Sequence, residues 1–95
     1  MYFTWDRRKS AANIRKHGIS FERASRIFSG STLEEIDDSQ DYDEERIKAI
    51  GLVEDTEVLV LYTDRSGGER RIISARKASE EERKAYWDAF APPHG

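Results

Sequence analysis

Apolar and polar positions alternate from the first residues of the chain. Phe3 and Trp5 fall on one side, Tyr2 and Thr4 on the other, which predicts a short strand over 2–6. Asp6 then caps a helix whose small apolar face is Ala11, Ala12 and Ile14, and Lys16, His17 and Gly18 form its stop signal. Ser20 caps a second helix, in which Phe21, Ala24, Ile27 and Phe28 follow helical spacing up to Gly30. From there the period shortens to two. A short strand around 32–36 and a solvated acidic turn lead into alternation over 46–53, where Ile47, Ala49, Gly51 and Val53 stand opposite Arg46, Lys48, Ile50 and Leu52. Glu54 and Asp55 make a tight turn, and the run from Val58 to Tyr62 is apolar on both faces, as in a central strand. Residues 64–68 form a hairpin loop into a last strand over 70–76. Ser79, Glu80, Glu81 and Glu82 then make a capping box for a final helix with Tyr86 and Phe90 four residues apart.

The order β, α, α, three or four consecutive strands, α predicts an α+β fold. The expectation is a small single domain over 1–90, with a mainly antiparallel sheet of about four to five strands, two N-terminal helices and one C-terminal helix. Residues 91–95, rich in Pro and Gly, are expected to be a disordered tail.

Composition narrows the chemistry. Hydrophobic and charged residues each make up 37% of the 95 residues, so a compact core lies under a densely ionic surface. Cysteine is absent, which excludes disulfide frameworks, thiolate metal sites and a cysteine nucleophile. One usable histidine and no carboxylates at ligand spacing leave no expected metal site. No apolar run nears the roughly 20 residues of a membrane span, and no signal segment opens the chain, so a cytoplasmic location is expected. The net charge of −3 hides an asymmetry: residues 34–45 hold eight acids and no base, and the rest of the chain holds 16 bases against 11 acids. That distribution permits a basic face for a polyanion.

The run Arg70-Arg71-Ile72-Ile73-Ser74-Ala75-Arg76 is the most informative. Arginine matches phosphate oxygens through a planar fork, and holding it on a rigid strand is costly without an ion partner or an anionic ligand. On a regular strand Ile72, Ser74 and Arg76 share one face, and Arg71, Ile73 and Ala75 the other. Arg71 and Arg76 line one site only if the strand is bulged or twisted; otherwise one of them serves the fold or a partner. Arg65 at the hairpin and Lys16 add further cations. Internal pairing of these arginines with the acidic stretch is the competing account. His17 also admits two accounts, capping of the helix dipole and proton transfer. Ser74 has no adjacent base. Trp5, Tyr62, Tyr86 and Trp87 fit a core, with Tyr62 kept as a candidate RNA contact because it ends the central strand near Arg65.

Two sets of residues resemble a known family, the BrnT toxins. In the first half they are Phe3, Trp5 and Asp6, then Asn13-Ile14-Arg15-Lys16-His17-Gly18-Ile19-Ser20-Phe21-Glu22-Arg23-Ala24, then Phe28. In the second they are Glu45-Arg46, Ile50-Gly51, Tyr62-Thr63-Asp64-Arg65, Arg71-Ile72-Ile73-Ser74-Ala75-Arg76, and Glu82-Arg83 with Tyr86. The resemblance spans roughly residues 2–87. It implies a RelE-like fold and a type II toxin that acts as a metal-independent endoribonuclease, cleaving RNA and inhibiting translation. It also implies a BrnA-like ribbon-helix-helix antitoxin as partner, with operator DNA reached only through the toxin–antitoxin complex, and no cofactor. By position it points to Arg65, Arg71 and Arg76 as phosphate and transition-state ligands, with His17 or Lys16 for proton transfer or positioning. Tyr62, Ser74 and Arg83 are the expected RNA contacts; Glu82 is explained already by its capping box. The alternative is an inactive toxin-like binding module that serves as corepressor.

Overall fold

Caps fix the first helix: the Asp6 carboxylate accepts hydrogen bonds from the backbone N–H groups of Arg8 and Lys9, and Gly18 closes the helix with φ +73°. In the structure, a computed structural model describing residues 1–91, the elements are β1 (Tyr2–Thr4), α1 (Arg7–His17), α2 (Phe21–Ala24), β2 (Leu33–Ile36), β3 (Ile47–Val53), β4 (Thr56–Arg65), β5 (Glu69–Lys77) and α3 (Glu80–Phe90). A 3-10 turn, Ser25–Ser29, continues α2, and Glu54 and Asp55, both with positive φ, make the tight turn between β3 and β4. All but one of the expected tail residues lie outside the described region; Ala91 is extended after α3.

Five strands form one sheet in the order β1-β5-β4-β3-β2. The four later strands pair antiparallel, while β1 pairs parallel with β5, because α1 and α2 carry the chain back across one face before β2 begins. That face is the main core: Phe21, Ala24 and Ile27 pack on Ala49, Val53, Val58, Val60, Tyr62, Ile72 and Ala75. The other face holds a smaller cluster, in which Tyr86 of α3 and Ala78 cover Ile50 and Leu59. Gly51 lets the 3-10 turn approach β3, since a Cβ there would lie 2.7 Å from the Ile27 Cβ.

One expectation fails in an informative way. Ala11, Ala12 and Ile14 are exposed, and α1 buries Ser10 and Asn13 instead. Ser10 Oγ accepts from the Phe21 amide at 3.1 Å, and Asn13 donates to the Ile19 carbonyl at 2.8 Å while accepting from the Ala75 amide at 3.4 Å. β1 covers only residues 69–71 of β5, so Ala75 has an outward amide that the sheet leaves unpaired and Asn13 satisfies. The inner face of α1 is polar because it closes an open sheet edge.

Candidate active site

The pairing of β4 with β5 shifts register between Leu61 and Tyr62: Leu61 faces Ser74, but Tyr62 faces Ile72. Ile73 is therefore an extra residue, a β-bulge, and side-chain alternation restarts beyond it. Ile72 and Ala75 both point to the α1/α2 core. Arg71, Ser74 and Arg76 consequently share the opposite face, on which α3 sits. The bulge is the irregularity that the alternation of Arg71 and Arg76 required.

Cross-strand pairing then sets their neighbours. Lys48, Leu61 and Ser74 are successive partners across β3, β4 and β5, and Ile50, Leu59 and Arg76 form the next row. Lys48 thereby joins the arginines, with Lys48 and Ser74 two strands, or about 10 Å, apart at the backbone. Lys48 had appeared in the alternation of β3, but the link to Arg76 is a tertiary one. A hollow of about 240 Å³ lies beside this row, lined by Leu33, Ile50, Leu59 and Ala85 with Glu35, Lys48 and Glu82.

Charges on this face are partly matched. Arg76 donates through Nη1 and Nη2 to the two carboxylate oxygens of Glu82 at 2.8 and 3.0 Å, and Nη1 also reaches the Lys77 carbonyl. That engages three of five guanidinium N–H donors and leaves two. Glu82 also accepts from the Ser79 amide, so one carboxylate caps α3 and orients Arg76. Arg76 above all holds the Glu82 carboxyl down to about 2, against an opposing effect of burial. Lys48 bonds Glu35 at 3.0 Å, and this bond is the main reason its ammonium pKa is raised. Arg71 makes no ion pair within 4 Å among the described residues.

The remaining expected residues divide between the two faces of the sheet. Arg65 lies on the same face, 3.7 Å from Glu44 and from Glu69; along β4 it is two residues, or about 7 Å, from the Arg71 partner Thr63 and six residues, or about 20 Å, from the Arg76 partner Leu59. His17 lines a hollow with Val53, Val58 and Lys77 on the α1/α2 side, so the sheet separates it from Arg76; Lys16 precedes it on exposed α1. These two groups do not join the Arg71–Arg76 face. Tyr62 is buried on the core side, donates to Glu34 at 2.5 Å and has its phenol pKa raised, chiefly by burial, so it is closed to a nucleobase. Arg83 is exposed on the α3 flank of Trp87, whose indole donates to Glu57, away from the flank of Glu81 and Ala85 that lines the hollow.

Arg70 is structural. Its guanidinium stacks over Tyr62 at 4.1 Å and Phe28 at 4.7 Å on the core side and pairs with Asp64 through two bonds of 2.7 and 2.9 Å. Internal pairing thus engages Arg70 and Arg76 through Asp64 and Glu82, and Arg65 through Glu69 and through Glu44 of the acidic stretch.

An antiparallel sheet face carrying arginine and lysine beside a C-terminal helix completes a small α+β domain. The chain matches the family model described as "Ribonuclease toxin, BrnT, of type II toxin-antitoxin system" over residues 5–82, and it belongs to that family. Its structure is similar to the crystal structure of the Brucella abortus ribonuclease toxin BrnT, with a TM-score of 0.62 and 25% sequence identity, covering 84% of this chain and 99% of that one. A sequence search of curated proteins found no match.

Proposed function

We propose that the protein cleaves RNA on the open sheet face, with Arg71 and Arg76 as the phosphate ligands. The observation that carries this reading is the Ile73 bulge, which turns Arg71 and Arg76 to the same sheet face as Lys48. Attack of a ribose 2′-oxygen on the adjacent phosphorus breaks the bond to the 5′-oxygen and leaves a 2′,3′-cyclic phosphate and a 5′-hydroxyl. The phosphate gains charge on the way, and cations already fixed around it lower that barrier without reorganising. Glu82 orients Arg76, Arg71 offers a guanidinium with no ion partner among the described residues, and Ser74 is small enough to leave room between them. In the Glu35–Lys48 pair, Glu35 takes the 2′ proton and Lys48 supplies one to the departing alkoxide, which is far more basic than an amine. His17 and Lys16 take no part in the bond-breaking step. Translation stops because messages are cut, and a ribbon-helix-helix antitoxin of the BrnA type restores growth by binding the toxin and carries the pair to operator DNA.

Induced expression followed by mapping of RNA 5′ ends tests this. Growth arrest with new 5′-hydroxyl ends is expected from the wild-type chain, and neither from Arg71→Ala. A corepressor without activity is the second reading, favoured by the engagement of Arg76 with Glu82; antitoxin binding with neither arrest nor new RNA ends decides for it.

A further inference from the structure

Seven of the 16 Lys and Arg side chains form ion pairs within 4 Å among the described residues, and none of those seven is on α1. Yet α1 carries Arg7, Arg8, Lys9, Arg15 and Lys16 and has no acid inside it. By contrast Arg23 and Arg26, in the next elements, both pair with Glu54. The helix is pinned by its polar side, Ser10 and Asn13, so all five cations are exposed. The exposed surface of α1 also bears Ala11, Ala12 and Ile14 and no aromatic anchor. A phosphate backbone needs no such anchor; it needs spaced cations.

Position relates this helix to the sheet face across the molecular edge. Thr4 pairs with Arg71, and Asp6, two residues on, opens α1. A strand held at Arg71 therefore meets Arg7 and Arg8 as it passes round the β1 edge, then follows a helix about 16 Å long. We infer that the outer face of α1 is a docking track for the phosphate backbone of single-stranded RNA, leading away from the Arg71 end of the open sheet face. The choice of RNA as the polyanion rests on the ribonuclease reading; the track itself rests on the unpaired cations. Lys16 belongs to this track.

The test uses the full chain and a 20-nucleotide 2′-O-methyl RNA, which binds but has no 2′-hydroxyl to attack. The triple variant Arg8→Gln/Lys9→Gln/Arg15→Gln alters exposed positions only, and its thermal midpoint is to be checked against wild type. With each single-strand phosphate contact adding about 0.7 to the slope of log K against log salt, the variant is expected to lose about 2 from that slope. An unchanged slope and affinity overturn the inference, and if the same variant then fails to bind the antitoxin, the face belongs to an acidic protein surface instead. Cleavage of ordinary RNA by the wild-type chain is scored separately. A lowered slope with no cleavage keeps the track and removes the proposed nuclease, whereas cleavage with an unchanged slope does the reverse.

Discussion

Arg71 and Arg76 stand on one face of β5 although five positions apart, because Ile73 is bulged out of register with β4. Strict alternation would set an odd spacing on opposite faces. The two arginines differ in how they are held: Arg76 is locked to Glu82, and Arg71 has no such partner among the described residues.

That difference predicts a split between activity and stability. Arg71→Ala and Arg76→Ala are each expected to lower RNA cleavage by on the order of 10²-fold or more. Urea denaturation should place Arg71→Ala within about 0.5 kcal/mol of wild type. Arg76→Ala should cost about 1 kcal/mol, since Glu82 loses two charge-assisted bonds in a partly exposed setting. Unfolding of both variants would make the arginines structural and remove the site.

Acid should weaken the protein through the same pair. The Glu82 carboxyl is held down to about 2 in the folded chain against an ordinary 4.5, with Arg76 as the leading cause. A depressed carboxyl stabilises the fold fully above the unfolded value, and that contribution drains away as pH falls from about 4.5 through about 2. After allowance for screening, the loss is about 1–2 kcal/mol. Denaturation midpoints measured across that window should fall for wild type and fall less for Arg76→Ala.

Arg70→Lys should destabilise the protein by about 2 kcal/mol, because an ammonium reproduces neither the stack on Tyr62 and Phe28 nor the two-pronged bond to Asp64. Cleavage per folded molecule should stay near wild type. A large loss of activity in folded Arg70→Lys would place this arginine in the chemistry.

Tyr62→Phe removes the phenol bond to Glu34, at a cost of about 1 kcal/mol in denaturant unfolding, and should leave growth arrest and RNA binding unchanged. A drop in RNA affinity without loss of stability would restore Tyr62 as a contact.

The caps illustrate what a linear reading captures. Asp6, Gly18, Ser20 and the Ser79–Glu82 capping box act on backbone groups within a few residues, so local chemistry is enough to place α1, α2 and α3. The same holds for the doubly apolar run of β4. Ala11, Ala12 and Ile14 misled because helical spacing gives candidate faces, while the open edge of β5 decided that the polar Ser10 and Asn13 turn inward. The side of the sheet that His17 occupies is hidden in the sequence for a related reason: nearness of basic residues in an ordered set says nothing about which face they take.

By itself, then, the sequence determined the element order, the α+β class, the caps and the presence of an arginine-bearing strand, since each depends on residues close together along the chain. Tertiary structure alone decided the parallel docking of β1, the bulge at Ile73, the stacking of Arg70 on the buried Tyr62, and the placing of Lys48, Arg71 and Arg76 on one face. The reason is physical. A single-residue shift in the pairing of two strands reverses the facing of every side chain beyond it, and that shift is set by packing between segments distant in sequence.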